Sequence, residues 1–269
     1  MIHWHPEVAA GLGVLLALYL LATGPLRRRL TPGPGPGGGR VAAFVGGLAV
    51  LAVALLGPLA EWAEHAALSA HMVQHLVLTL VVPPLWLLGT PDWLLRPAAR
   101  RRGIGRAGYV LTRPVVALGL ASTALIVWHV PRFFEAALRQ EALHGLEHLT
   151  LLGTALLAWW PVAGPLPEWP RPVAPAQLLY LFVATIPMTA VSAPITAAEH
   201  VLYPFYAEVA ASVGAGWPLA PRADQELAGV LMWVGGSLPY LIAGTVVFFR
   251  WAVAEEPGGT AFPGESSRA

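Results

Sequence analysis

Two pairs of histidines have the spacing that metal binding on a helix requires. His71 and His75 are four residues apart, and so are His144 and His148. Residues four apart lie one turn above each other on the same helix face, so both imidazoles of a pair can reach one ion. Two such helices facing each other would present four imidazoles, and His129 could supply another. The pattern predicts that these histidines bind a metal ion or haem.

Carboxylate and thioether side chains accompany the histidine pairs. Glu147 can orient a ligand histidine, bind metal itself, or only stabilise the first turn of a helix through its dipole. Asp224 precedes an apolar segment and is expected to be its N-cap, with metal ligation as the alternative. Met232 and Met188 lie within apolar segments, where binding of Cu(I) competes with a role as core filler.

The remaining histidines are expected to anchor helix ends at the level of the lipid headgroups: His3, His5, His65 and His200. His3 has a second interpretation, because an imidazole two residues after a free amino group suits a square-planar Cu(II) complex. The chain contains no cysteine, which excludes disulfides and thiolate ligands. Imidazole must therefore carry any coordination chemistry.

The composition indicates a protein of the lipid bilayer. Of the 269 residues, 56% are hydrophobic and 12% are charged, and the mean hydropathy is +0.62. The 16 basic residues, all arginine, nearly balance the 15 acidic residues, which argues against nucleic acid as a partner. No nucleophile with a paired base and no phosphate-binding glycine loop is present, so the sequence predicts a non-enzymatic protein.

Seven apolar segments approach the length that crosses a bilayer. Backbone groups in lipid must be bonded within their own segment, so the sequence predicts an all-α integral membrane protein, a bundle of seven transmembrane helices in one domain over residues 1–254. A flexible linker is predicted at 31–39 and a disordered cytoplasmic tail at 255–269. The predicted spans are 8–26, 41–60, 71–88, 114–130, 147–163, 176–193 and 225–251.

Arginine sets the predicted orientation. The first span lacks the features of a cleaved signal peptide and is expected to remain, with the N-terminus outside and the C-terminus in the cytoplasm. All nine histidines then lie at or near the outer face. In this orientation Arg132, Arg139 and Arg222 are outside, and the inner arginines are Arg27, Arg28, Arg29, Arg40, Arg96, Arg100, Arg101, Arg102, Arg106, Arg113, Arg171, Arg250 and Arg268.

Several motifs resemble the CtaG family of cytochrome caa3 oxidase assembly proteins, and together they cover roughly residues 1–250. Around the first histidine pair they are His71-Met72-Val73-Gln74-His75, Pro83-Pro84-Leu85 and Leu88-Gly89-Thr90-Pro91. Further along they are Trp128-His129-Val130-Pro131, His144-Gly145-Leu146-Glu147-His148, Trp159-Trp160-Pro161, Pro187-Met188, Leu202-Tyr203-Pro204-Phe205-Tyr206 and the segment from Asp224 to Trp233.

The resemblance implies a multi-pass protein of the bacterial plasma membrane that helps to assemble a haem-copper oxidase. Copper would reach the oxidase catalytic subunit through this protein, which could receive it from a soluble extracytoplasmic donor. The expected partners are therefore cytochrome c oxidase subunits in the lipid bilayer. Metal handling would fall on His71, His75, His129, His144 and His148, with Glu147, Asp224 and Met232 as lesser candidates.

Three other classes compete with the copper-binding assembly factor. A membrane haem protein would use two histidines on facing helices as axial ligands. A membrane di-metal oxidase would need more histidines and carboxylates than the sequence offers. A copper transporter would need a polar or methionine-lined path across the bilayer, and the spans show almost none.

Overall fold

The structure of the chain is a computed structural model that describes residues 6–30, 35–213 and 219–255. Helices and their connecting segments make up these residues, with no strand among them. A short helical turn at Arg27–Leu30 follows the first helix. The main helices are α1 (Pro6–Thr23), α2 (Gly38–Leu56), α3 (Pro58–His65), α4 (Leu68–Gly89), α5 (Asp92–Ala99), α6 (Arg102–Leu111), α7 (Pro114–His129), α8 (Pro131–Arg139), α9 (Glu141–Ala163), α10 (Ala174–Ala197), α11 (Pro204–Val213) and α12 (Pro221–Glu255).

Every predicted span coincides with a helix, but five helices are long and apolar enough to cross a membrane: α1, α2, α4, α10 and α12. Helices α6 and α7 pass the same test together, although they are bent by 74° at their junction. Helix α9 has 23 residues, yet polar side chains such as Glu147 in its first turns lower its mean hydropathy. The all-helical prediction is confirmed, whereas the count of seven spans and the orientation stay predictions.

Proline opens many of these helices. The lost N–H of a proline costs nothing at the first position, where backbone donors have no partner within the helix, and its fixed φ suits helical backbone. Pro6, Pro58, Pro114, Pro131, Pro204 and Pro221 each occupy such a position. These prolines fix where α1, α3, α7, α8, α11 and α12 begin.

The predicted linker at 31–39 is wrong at its end, because Gly38 and Gly39 form the first turn of α2. The packed apolar segment that follows supplies the stability of this helix, and the two glycines extend it. Residues 31–34 lie outside the described part of the chain. The predicted disordered tail also falls outside it, from residue 256 onward.

Helix α4 forms the centre of the bundle. Half of its apolar segment is buried (50%), compared with 6% for α1. Helix α4 contacts α2, α9 and α12, while α7 packs against α9 and α10. This arrangement sets the first histidine pair, on α4, against the second pair, on α9.

A π-helical turn and two prolines interrupt α4 below the histidines. The turn covers Val77–Val81 and is followed by Pro83 and Pro84. Pro83 has no N–H to offer the carbonyl of Thr79 four residues earlier. The indole Nε1 of Trp159 on α9 donates to that carbonyl at 3.0 Å, so the neighbouring helix satisfies the freed group.

Candidate metal centre

His71 and His75 occupy one face of α4, as their spacing predicts. Both side chains are buried, with 0% and 2% of their surface exposed. Their Nε2 atoms are 2.9 Å apart, and the two rings meet edge to face. The two imidazoles therefore direct nitrogen atoms toward the same point.

Helix α9 adds two further ligand groups at that point. One ligand atom from each of His71, His75, Glu147 and His148 lies within 4.8 Å of the other three. We call these residues the four-residue group. Glu147 is completely buried, and its Oε1 lies 3.6 Å from Nε2 of His75. The group thus combines three imidazoles with one carboxylate, a donor set that suits a transition-metal ion.

His144 and His129 stand next to this group. The ring of His144 is 4.2 Å from that of His148 and 5.3 Å from that of His71, measured between centroids. The ring of His129 is 5.4 Å from that of His75. Nδ1 of His129 donates to the carbonyl of Leu125 at 2.8 Å, which leaves Nε2 as an unprotonated acceptor. All five predicted histidines therefore come together.

Tyr206 on α11 orients His71. Its hydroxyl is 2.7 Å from the carbonyl oxygen of Ala63 and 3.0 Å from Nδ1 of His71. Burial raises the pKa of the Tyr206 phenol well above its ordinary value, so the phenol keeps its single hydrogen. That hydrogen goes to the carbonyl, which can only accept, so Nδ1–H of His71 donates to the phenol oxygen. Nε2 of His71 is then unprotonated, and its lone pair faces Nε2 of His75 within the four-residue group.

Buried polar atoms without a hydrogen-bond partner concentrate at this place. Within residues 6–30, 35–213 and 219–255 they include Nδ1 of His75, Nε2 of His129, Nε2 of His148 and both carboxylate oxygens of Glu147. Buried polar groups normally have partners, and an unpaired buried carboxylate is especially costly. A bound cation would give these nitrogen and oxygen atoms the partner that they lack.

The spacing of the ligand atoms fits a single ion after a small adjustment. Nitrogen ligands lie about 2.0–2.1 Å from zinc, which places two of them roughly 3.3 Å apart at a tetrahedral angle. The 2.9 Å between Nε2 of His71 and Nε2 of His75 is a few tenths of an ångström shorter. A small rotation of either imidazole opens this distance, so the side chains fit a metal ion.

Asp224 caps a helix, but a different one from the helix predicted. Its own helix α12 begins three residues earlier at Pro221, so Asp224 is not its N-cap. Its Oδ2 accepts the N–H of Leu68 at 2.7 Å, and its Oδ1 accepts the N–H of Ser69 at 3.3 Å and the Ser69 hydroxyl. The carboxylate therefore caps α4, three residues before His71.

Met232 has hydrophobic surroundings, and two of the remaining histidines, His65 and His200, are largely at the surface. Met232 is buried in a π-helical turn of α12 and belongs to the main hydrophobic core together with Met188 and Met72. His200 is exposed, and the side chain of His65 is 47% exposed. His3 and His5 fall outside the described residues.

Two residues of the site were not predicted. Tyr206 contacts His71, and its place in the Leu202–Tyr206 motif was the available signal. Phe134 is fully buried, with its ring centroid 5.0 Å from that of His71 and 6.0 Å from that of His129. No spacing or motif in the sequence points to Phe134, which the fold brings in from α8.

The sequence is similar to proteins from mycobacteria. It is 29% identical over 259 residues to "uncharacterized protein Mb0105" of Mycobacterium bovis, with 89% of this chain and 38% of that protein covered. The same values hold for "uncharacterized protein MT0111" of Mycobacterium tuberculosis. "Uncharacterized protein ML1998" of Mycobacterium leprae is 25% identical over 205 residues, with 70% of this chain and 30% of that protein covered. The chain thus spans less than two fifths of the length of these curated relatives.

A family model identifies the chain more specifically. No solved structure matches the chain. The model described as cytochrome c oxidase caa3 assembly factor matches residues 17–254, which include all five clustered histidines. Because this match covers most of the sequence, the chain belongs to the family of cytochrome c oxidase caa3 assembly factors.

Proposed function

We propose that this chain is a non-enzymatic assembly factor that binds copper and delivers it to the catalytic subunit of a haem-copper cytochrome c oxidase. The four-residue group of His71, His75, Glu147 and His148 holds the ion. The chain is a multi-pass protein of the bacterial plasma membrane with seven spans, its N-terminus outside and its C-terminus in the cytoplasm. This topology places the histidines at the outer face.

The buried carboxylate of Glu147 is the observation that carries the proposal. It has 0% exposure and no hydrogen-bond donor among the described residues, and three imidazoles surround it. Removing a charge from water costs several kcal/mol unless a partner compensates it. A bound cation compensates the carboxylate and gives the unpaired imidazole nitrogens a ligand at the same time.

Copper suits the donor set and the assembly role. Imidazole is a good ligand for copper and zinc, and at a nitrogen site copper binds more tightly than the other common divalent metals. His129 and His144 stand beside the four-residue group, so the cluster holds more ligands than one ion needs. Spare ligands permit stepwise exchange, which a protein that delivers its metal requires.

A single ion agrees with the spacing better than haem does. Haem needs two axial ligands on opposite sides of a wide, flat macrocycle. Here the ligand atoms of the four-residue group all lie within 4.8 Å of one another. Four ligand atoms in this small space are more than the two axial ligands that haem takes, and they match the coordination of one metal ion.

The position of the cluster supports exchange with two partners. Under the proposed topology, a soluble extracytoplasmic donor can supply copper at the outer face. The oxidase subunit that receives the ion lies in the same bilayer and can approach from the side. The family to which the chain belongs is described as an assembly factor for this oxidase.

The delivery role can be tested in cells that lack this chain. Reintroducing the wild-type chain is expected to restore the copper content and activity of the haem-copper oxidase. A His71→Ala, His75→Ala double variant is expected to fail at equal abundance in the membrane, whereas His200→Ala, an exposed histidine, should restore both. Full restoration by the double variant would contradict the proposal.

A further inference from the structure

A cavity opens beside the four-residue group on the side of α1, α3 and α9. Its outer part has a volume of about 910 Å³ and its inner part about 510 Å³. Both parts are lined by Glu7, Glu64, Glu141 and His144. We call the two parts together the vestibule.

The inner part of the vestibule reaches the metal centre through a single side chain. His148 lines that inner part and is also a member of the four-residue group. Its Nε2 is buried and has no hydrogen-bond partner among the described residues. His71 and His75 line neither part of the vestibule. Of the four-residue group, His148 is therefore the member that an ion in the vestibule meets first.

The charge of the vestibule favours a cation. Three carboxylates from three different helices line both of its parts: Glu7, Glu64 and Glu141. The arginine of the outer part, Arg139, forms ion pairs with Glu135 at 3.1 Å and Glu208 at 2.9 Å, so its positive charge is already balanced. Among the described residues, the carboxylates are the charged side chains that line the inner part, and an excess of one sign of charge concentrates counter-ions and speeds their association.

The imidazoles form a short series from the vestibule to the buried group. The ring of His144, which lines both parts, is 4.2 Å from that of His148, whose ring is 5.5 Å from that of His75. We infer that the vestibule is a loading passage for the metal cation, in which Glu64, Glu141 and Glu7 attract the ion and His144 transfers it to His148. The inference rests on the proposed function, because it assigns the route by which the same site fills.

The passage can be tested by the rate at which the full-length chain takes up copper. Cu²⁺ supplied as a weak glycine complex is mixed with the purified protein, and binding is followed by stopped-flow quenching of tryptophan fluorescence. A Glu64→Gln, Glu141→Gln double variant is expected to bind Cu²⁺ about tenfold more slowly than wild type. The amount of copper bound at saturation should not change. Added salt should reduce the difference in rate, because it screens the carboxylates.

A matched control removes the same charge elsewhere. Glu199 is exposed, the side chain of Glu226 is 45% exposed, and neither residue lines the vestibule. A Glu199→Gln, Glu226→Gln variant should therefore keep the wild-type rate. A His144→Ala variant should be slow, because the transfer to His148 is lost, whereas His200→Ala should be normal.

Two results would overturn the passage while leaving copper binding in place. One is a wild-type association rate in the vestibule variant. The other is a lower copper content at saturation, which would put Glu64 or Glu141 in the binding site itself. A wild-type chain that takes up no copper would instead overturn the proposed function, and the passage with it.

Discussion

The position of the hydrogen on the His71 ring determines which of its two nitrogens can bind a metal ion. Tyr206 accepts the hydrogen of Nδ1, so Nε2 points its lone pair into the four-residue group. Hydrogen bonds of this kind fix the tautomer and orientation of ligand histidines and raise their basicity. His129 is held in the same way by the Leu125 carbonyl. Two imidazoles of the cluster are therefore prepared as ligands before any ion arrives.

A Tyr206→Phe variant is expected to weaken copper binding by about 10- to 100-fold, the usual effect of losing such a partner. Tyr203→Phe is the matched control. The Tyr203 hydroxyl donates to the backbone carbonyl of His129 and touches no imidazole nitrogen. Tyr206→Phe loses two buried hydrogen bonds, to Ala63 and His71, and Tyr203→Phe loses one, to a backbone carbonyl. Competition titration with a chelator measures the copper affinity of each variant. Equal copper affinities of the two variants would show that Tyr206 does not orient a metal ligand.

Sequence spacing predicted the ligand pairs more completely than it predicted their surroundings. The interval of four residues puts His71 and His75 on one helix face, and His144 and His148 on another. The helical repeat alone is enough for this prediction. Glu147 could not be separated from an ordinary first-turn acid, since burial depends on which helix faces α9. Phe134 and Tyr206 reach the site from other helices, so helical spacing does not identify them. The Leu202–Tyr206 motif was a signal for Tyr206, and Phe134 had none.

At the scale of the helix, side chains from neighbours complete backbone groups that prolines and helix ends leave open. Gln74 on α4 donates to the carbonyl of Ala54 at 2.9 Å, whose usual donor four residues on would be Pro58. Asp224 on α12 accepts the first N–H groups of α4. These bonds help to fix the position of α4, the helix that carries His71 and His75.

The cap on α4 predicts a stability effect. An Asp224→Ala variant leaves the buried N–H groups of Leu68 and Ser69 without an acceptor, so the free energy of unfolding should fall by about 1–3 kcal/mol. Glu226→Gln on the same helix removes only an exposed pair with Arg222 and should cost less than about 1 kcal/mol. Denaturant unfolding in detergent measures both. Equal stability of the two variants would show that the cap is dispensable.

The close packing of α2 against α4 predicts a second effect on stability. A Cβ added at Gly89 would lie 2.5 Å from the backbone nitrogen of Phe44 and 2.8 Å from the carbonyl oxygen of Arg40. Gly89→Ala should therefore destabilise the fold by about 1–3 kcal/mol through overpacking. Gly46→Ala on α2 is the control, because its Cβ would meet nothing within 4 Å. Thermal unfolding measures both variants, and equal melting temperatures would contradict this packing.

The sequence predicted the positions of the helices along the chain well, and it predicted the contacts between helices less well. Apolar length and opening prolines place the main helices within a few residues. The capping role of Asp224 was expected within α12, but its partners on α4 lie 155 and 156 residues away in the chain. Contacts at that separation depend on how the bundle assembles, which local propensity does not encode.

For the whole molecule, the number of spans depends on whether helix α9 crosses the membrane. Five helices qualify as spans, and the bent pair of α6 and α7 makes up to six. Adding α9 gives the proposed seven and puts the termini on opposite sides of the membrane. With six spans both termini would lie on the same side. Two of the polar side chains that lower the hydropathy of α9, Glu147 and His148, belong to the candidate metal centre.

Reporter fusions test this topology. Alkaline phosphatase is active only outside the cytoplasm, and green fluorescent protein fluoresces only inside it. After Glu255, the fluorescent fusion should be bright and the phosphatase fusion inactive. The opposite pattern is expected for fusions in the loop between α8 and α9, at Gln140. Identical patterns at the two sites would contradict the proposed arrangement.

The central claim is that the four-residue group binds copper, and metal analysis with an absorption spectrum of the purified full-length chain tests it most directly. Copper is expected in the wild-type chain and in the His200→Ala control. It should be lost from the His71→Ala, His75→Ala variant. A Soret band would assign the chain to the haem proteins instead, and copper retained by the double variant would place the site elsewhere.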